Sequence, residues 1–266
     1  MGSPFHVPVA CCPPGTEGPE LVIIDRVEST IITPDMGVAN RAFLSNTETV
    51  RAGHSYRDKS VVCIVPAVAD IPPRIVSAWR NMMTPMNEKF CMLMAEGFEV
   101  GDAYSTMIEN VLAHDELSKW KYILTLETDN APPPDGLLKL IQDIESGPWA
   151  AVGGLYWTKG EGGEPMCYGN PAVMPKDFKP WLPEPNTVAE CNGLGMGMTL
   201  FKMSLFRDKE IKRPWFRTVQ DYTPGVGAQM FTQDLAFFHE AGKRHRFACS
   251  TRVLVGHYDS RNRVMW

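Results

Sequence analysis

Two carboxylates one residue apart, Glu127 and Asp129, follow directly on the apolar run Tyr122-Ile123-Leu124-Thr125-Leu126 and precede Asn130-Ala131-Pro132-Pro133-Pro134. Carboxylates placed this way after an extended segment can face a common cavity once the chain leaves the sheet, and their hard oxygens suit Mg²⁺ or Mn²⁺. A cation so held can bridge the oxygens of a diphosphate and neutralise the charge that grows on a departing nucleotide diphosphate. The plainer alternative is that both residues cap the following helix and solvate a loop. Their place between a strand and a proline-opened helix favours the site.

The elements that must position them are legible on either side. Residues 60–67 read as a buried parallel strand. Residues 71–83 follow as a helix begun by Pro72-Pro73, with Ile75, Val76, Trp79 and Met82 or Met83 on one face. A second strand over 89–95 leads to a helix over 103–114 with Met107, Ile108, Val111 and Leu112 inward, and the third strand, 122–126, leads to a helix carrying Leu137, Leu138, Leu140 and Ile141. A fourth apolar run spans 149–156. This alternation predicts an α/β fold with a parallel sheet and right-handed crossovers. Ligands in such sheets bind at the carboxyl ends of the strands.

Beyond Thr158 the chain turns to Gly and Pro until Val188, a length of irregular chain that is usually functional or mobile. A helix near 203–207, another over 231–241 and a strand over 251–255 ending at Gly256-His257 complete the pattern. Residues 1–20, rich in Pro and Gly, read as a flexible arm, residues 21–59 as an extension packed on the core, and 60–266 as the main domain.

Composition narrows the classes. The 266 residues are 44% hydrophobic and 21% charged, with a net charge of −5, so the chain lacks the basic excess of a nucleic-acid binder; the run Lys243-Arg244-His245-Arg246 leaves room for a local patch. Seven cysteines, an odd number with no CxxC pair, suit reduced thiols in a cytoplasm. No apolar run approaches 18 residues and the opening segment lacks a signal-peptide pattern, so no membrane span is expected.

The run YILTLETDNAPPPDGLLKLI resembles the central strand, DxD motif and following helix of GT-A fold glycosyltransferases, particularly the family 2-like group of bacteria and phages. AAVGGLYW, VAECNGLGMGMTLFKMSLF, then WF and TQDLAFFHEAGKRHRFACSTRVLVGH follow in the family's order, so the resemblance covers roughly residues 60–258. It implies a central, mostly parallel sheet flanked by helices, a nucleotide-binding part over 60–157 and an acceptor-binding part over 158–258. It also implies a nucleotide-diphosphate sugar as donor and Mn²⁺ or Mg²⁺ as cofactor. On the same basis Asp129 is the principal metal ligand, with Glu127 acting on the metal, on the ribose or through water. His257 completes the metal site, Asp234 is the base of an inverting transfer, and Pro66 and Ala67 lie against the nucleoside. Asp70 and Glu96, just beyond the first two strands, are further candidates for the base or ribose, with helix capping as an equal reading of Asp70. Asp234 itself can be read as a first-turn residue behind an N-capping Thr232.

The chain departs from the family pattern at three places. Glu127 stands where Asp is usual, Gln233 precedes Asp234 where Glu is common, and Tyr104-Ser105 replaces an Arg-Asn pair. The first two keep alive a catalytically silent nucleotide- or glycan-binding module. A nucleotidyltransferase also uses acidic metal ligands but needs a Gly-rich basic loop after the first strand, which Val65-Pro66-Ala67-Val68-Ala69-Asp70 is not. The glycines of Asn192-Gly193-Leu194-Gly195-Met196-Gly197 lack the strand and acidic residue of a dinucleotide motif and read as backbone that a sugar or acceptor can approach. Trp157, Trp181, Trp215 and Phe216 offer aromatic surface for a sugar ring or belong to the core. The acceptor stays open among saccharide, protein and modified nucleic acid.

Overall fold

The computed structural model describes residues 59–67, 70–86, 89–223 and 227–266. The readings made for 1–20 and, Lys59 apart, for 21–59 fall outside the described residues. Strand and helix alternate through β1 (Val61–Ala67), α1 (Pro73–Asn81), β2 (Phe90–Glu96), α2 (Val100–Ala113), β3 (Tyr122–Leu126), β4 (Asn130–Ala131), α3 (Gly136–Glu145) and β5 (Trp149–Leu155). Shorter strands follow: β6 (Cys167–Tyr168), β7 (Val188–Cys191), β8 (Gly193–Leu194) and β9 (Met198–Lys202). The last part holds the hairpin β10 (Val219–Thr223) and β11 (Gly227–Phe231), then α4 (Gln233–Ala241), β12 (Arg246–Leu254), β13 (Gly256–Asp259) and β14 (Val264–Met265).

The main sheet has the order β2-β1-β3-β9-β5-β12-β7. β1 pairs parallel with β2 and β3, and β12 pairs parallel with β5. β9 runs antiparallel between β3 and β5, and β7 antiparallel along β12, so five of the seven strands point one way. The chain steps from β1 to β2 on one side, then crosses back to place β3 on the other. In sheets of this kind ligands bind in the crevice at such a reversal, beyond the carboxyl ends of the strands, here β1 and β3.

Sheet coverage explains the unbroken apolar runs. Along β1, Val62 and Ile64 join one core with Tyr104, Ile108 and Val111 of α2 and Phe237 and Phe238 of α4. Val61, Cys63 and Val65 join the other, with Ile75 and Trp79 of α1 and Leu137, Leu140 and Ile141 of α3. Successive strand residues face opposite ways, so a strand covered on both faces must be apolar at every position. Each large side chain so buried contributes on the order of 1.5–3 kcal/mol.

Several boundaries differ from the sequence pattern, each for a local reason. α1 ends at Asn81 because Met82 turns extended, and Val76, expected inward, is 40% exposed while Ile75 and Trp79 make the buried stripe. α2 begins earlier than residue 103 because the Glu99 side chain accepts from the backbone N–H groups of Gly101 and Asp102 at 2.8 and 3.2 Å, capping it. Residues 203–207 form a 3₁₀ turn. β12 starts at Arg246 rather than 251, since its early residues pair with both β5 and β7. The cations of the basic run form ion pairs, Lys243 with Glu240, Arg244 with Asp208 and Arg246 with Glu190, while His245 Nε2 lies 2.8 Å from Asp208 Oδ2. Trp215 and Phe216 are core residues, not a sugar platform: their rings pack against Phe206 at 5.4 Å and Phe237 at 4.5 Å.

Candidate active site

β3 stops at Leu126, and Glu127 to Asp129 form a turn closed by the Asn130 N–H donating to the Glu127 carbonyl at 3.0 Å. The chain then pairs, through β4, with β13: His257 stands opposite Asn130 and Gly256 opposite Ala131. The Tyr258 N–H donates to the Asp129 carbonyl at 2.7 Å, and His257 exchanges both backbone bonds with Trp266 at 2.9 Å. A short backbone ladder thus fixes His257 beside the acidic turn. Its Nε2 lies 3.5 Å from Asp129 Oδ2. Its Nδ1 lies 2.7 Å from the Trp157 carbonyl oxygen, which can only accept, so Nδ1 carries the hydrogen. Nε2, the atom facing Asp129, is thereby the ring nitrogen open to a cation, as in metal-ligating histidines oriented by a backbone carbonyl. Tyr156 stacks edge-on against the same ring at 5.5 Å.

Charge is concentrated here. Burial pushes the Glu127 carboxyl up to about 8, aided by the negative charges of Asp129 and Asp234 and opposed by Lys159. Burial also acts to raise Asp129, but hydrogen bonds from His257 and Lys159 outweigh it and hold Asp129 below the usual carboxylate range. Asp234 is 8% exposed and raised by burial; the Thr232 hydroxyl and the Leu235 N–H, the latter at 2.9 Å, hydrogen-bond its Oδ1 and moderate the rise. Thr232 occupies the N-cap position of α4 but spends its hydroxyl on Asp234 rather than on the helix.

The raised Glu127 has a consequence for stability. Between the ordinary carboxylate range and about 8 the folded, metal-stripped chain holds a proton on Glu127 that the unfolded chain has lost, so the contribution of this group to stability is greatest in acid and declines as pH rises through that window. Glu127→Gln removes the decline. In chelator, the variant is expected to melt a few degrees above the parent at pH 8 and to lose that lead near pH 4.5. Equal melting curves at both pH values would contradict this.

The donors present fit a divalent cation. Two adjacent ligands on one Mg²⁺-type ion, each bonded at about 2.1 Å, stand roughly 3 Å apart, close to the 3.5 Å between Asp129 Oδ2 and His257 Nε2. Among the described residues no three His, Cys, Asp or Glu side chains converge. The geometry therefore joins Asp129 with His257 and does not bring Glu127 in as a third protein ligand. Such ions commonly take only one or two protein groups and fill the remaining positions with water and substrate phosphate.

The other candidates divide. Pro66 and Ala67 end β1 between the ends of β2 and β3, and Ala67 is in register with Glu96. Glu96 and Asp70 are exposed; α1 has Pro72 at its N-cap and no side-chain cap bond, so Asp70 does not cap it. The glycines at 195 and 197 do not open backbone to a ligand. A Cβ at Gly195 would fall 2.2 Å from the Tyr156 hydroxyl, and one at Gly197 2.5 Å from Asn130 Oδ1. The chain's own side chains fill that space. Trp157 and Trp181 pack, partly buried, against the core. His245 hydrogen-bonds Asp208, His114 accepts backbone N–H groups from Glu116 and Leu117, and His239 packs at a tilt against Phe178; His54 lies outside the described residues.

Two residues at the site escape the sequence pattern. Lys159, in the irregular segment after β5, places its ammonium on Asp129 Oδ2. Its only signal is a lone cation in the glycine-rich run Thr158-Lys159-Gly160-Glu161-Gly162-Gly163. Tyr104 is fully buried with no partner for its hydroxyl, which burial and then the charge of Glu127 raise well above its usual range. An unpaired buried hydroxyl is costly. Its signal was the departure from Arg-Asn.

No protein-family profile and no curated protein sequence matches the chain. Solved structures do. The chain is similar in fold to A197 from STIV, at 17% identity and a TM-score of 0.53, covering 77% of this chain and 92% of that one. It is also similar to GalNAc-T7, solved with UDP, GalNAc and Mn²⁺, at 9% identity and a TM-score of 0.50, covering 75% of this chain and 44% of that one. The chain thus matches less than half the length of GalNAc-T7. The fold is that of the GT-A glycosyltransferases. Among the described residues no helix is long and apolar enough to cross a membrane.

Proposed function

We propose that the chain is a divalent-cation-dependent glycosyltransferase that moves a sugar from a nucleotide-diphosphate donor to an acceptor hydroxyl with inversion, in the manner of the family 2-like group its motifs resemble. The observation that carries this reading is the pairing of Asp129 Oδ2 with His257 Nε2 at 3.5 Å, at the crevice where the strand order reverses. The donor's nucleoside lies along the ends of β1 and β2, against Pro66 and Ala67, with Asp70 and Glu96 in reach of its polar edge. Asp129 and His257 hold Mn²⁺ or Mg²⁺, which supplies charge neutralisation at the leaving diphosphate. Glu127, in the same turn as Asp129, acts on the ribose or, through water, on the metal. Asp234 accepts the proton of the attacking hydroxyl; burial raises its affinity for protons, which strengthens it as a base.

A panel of nucleotide-sugars, each with Mn²⁺, tests the proposal without knowledge of the acceptor. One donor class is expected to raise the melting temperature, by an amount that grows with its concentration, and to be slowly hydrolysed. A panel in which nothing stabilises the chain defeats the reading. Stabilisation without hydrolysis or transfer points instead to a binding module, and pyrophosphate release from nucleoside triphosphates to a nucleotidyltransferase.

A further inference from the structure

Asp129 Oδ2 faces two partners, His257 Nε2 and the ammonium of Lys159. Both partners are governed by one short segment, since the Trp157 carbonyl orients His257 and Lys159 follows two residues later. The segment is built rather than loose. Trp157 bridges Pro165, the Thr158 N–H donates to the Glu164 carbonyl at 2.9 Å, and the Glu164 N–H donates to the Thr158 hydroxyl at 2.8 Å. Gly163 N–H closes the tip onto the Gly160 carbonyl at 3.1 Å, and Gly160 and Gly162 adopt φ of +107° and +73°, conformations that favour glycine. From this base the charge of Lys159 acts on Glu127, Asp129 and Asp259.

A divalent cation bonded to Asp129 Oδ2 and an ammonium on the same oxygen repel each other at contact distance. They exclude one another. Resting on the glycosyltransferase reading above, we propose that Lys159 is a tethered counter-ion of the cation site: it neutralises Asp129 until the divalent cation arrives, and then passes to the donor's diphosphate. The side chain has the reach for a short transfer, being an ammonium on a flexible four-carbon stem. The acquired partner is the only strong anion that the reading brings into the crevice. Lys159 is thereby a positioning residue for the leaving group, and its two roles have opposite signs.

Opposite signs make the test. Mn²⁺ alone, followed by electron paramagnetic resonance, is titrated into the parent, Lys159→Gln, Lys159→Arg and Asp129→Asn. UDP, GDP, ADP and CDP are then titrated at saturating Mn²⁺. Lys159→Gln is expected to bind Mn²⁺ about 5-fold more tightly, near the upper end of what a half-exposed ion pair contributes, and to bind the preferred nucleoside diphosphate about 5-fold more weakly. Lys159→Arg keeps the charge and stays near the parent in both. Unchanged or weakened Mn²⁺ binding in Lys159→Gln, alongside loss of binding in Asp129→Asn, overturns the counter-ion role and leaves the function standing. A parent that takes up Mn²⁺ no better than Asp129→Asn overturns both.

Discussion

Asp234→Asn is expected to slow transfer about 10²–10⁴-fold while leaving donor affinity nearly unchanged. The carboxylate stands at the first turn of α4, held from one side by the Thr232 hydroxyl and by the Leu235 N–H, while Phe237, Phe238 and Ala241 anchor the helix in the core. Asn keeps the size and hydrogen-bonding reach of the side chain but cannot accept the proton of an acceptor hydroxyl. The helix should therefore stay in place and the loss should fall on the rate of the chemical step. Nucleotide-sugar titration by calorimetry and single-turnover rates separate the two quantities. A variant that transfers at the parent's rate removes Asp234 from the base role. A first-formed product with retained anomeric configuration, read by NMR, rules out the inverting mechanism itself.

Asp129→Asn is expected to remove Mn²⁺-dependent donor binding, a loss of at least about 10²-fold in donor affinity at fixed Mn²⁺, since a neutral amide is a poor ligand for a hard cation and leaves His257 as the one protein donor. The fold should tolerate the change. The backbone carbonyl of Asp129 still receives the Tyr258 N–H, and the β4 to β13 ladder that holds His257 does not use the Asp129 side chain. Calorimetry of donor with Mn²⁺, and again in chelator, is the measurement. Parent-like binding of both in the variant would separate Asp129 from the metal altogether. Because the substitution also frees Lys159, the metal-independent binding of nucleoside diphosphate should be retained or slightly improved.

The order of elements and the place of the acidic turn were legible because they rest on local rules. An apolar run of strand length, a proline-opened helix and a return to an apolar run specify a parallel sheet through burial alone, and β3 begins and ends at the residues the pattern marks, 122 and 126. Helix starts were less legible. The cap that lengthens α2 comes from Glu99, a residue type whose long side chain is not a favoured N-cap. The fate of residues rich in both surface and core character was not legible either: Trp215 and Phe216 fill an aromatic core, and the glycines at 195 and 197 make room for Tyr156 and Asn130. Periodicity reports that a residue is buried, not what buries it.

By itself the sequence determined that carboxylates end a central strand and that a helix headed by Asp234 follows later, because residue type and spacing carry those facts along the chain. Only the tertiary structure decided which groups meet. His257 reaches Asp129 through a two-residue ladder between distant segments, and its ring is set by the Trp157 carbonyl. Lys159 reaches the same carboxylate from a loop with no periodicity to announce it. Glu127 owes its raised proton affinity to burial and to two neighbouring carboxylates, one of them far away in sequence. Charge and hydrogen bonding act through space over a few ångströms, so their partners are fixed only when the sheet has brought its strand ends together.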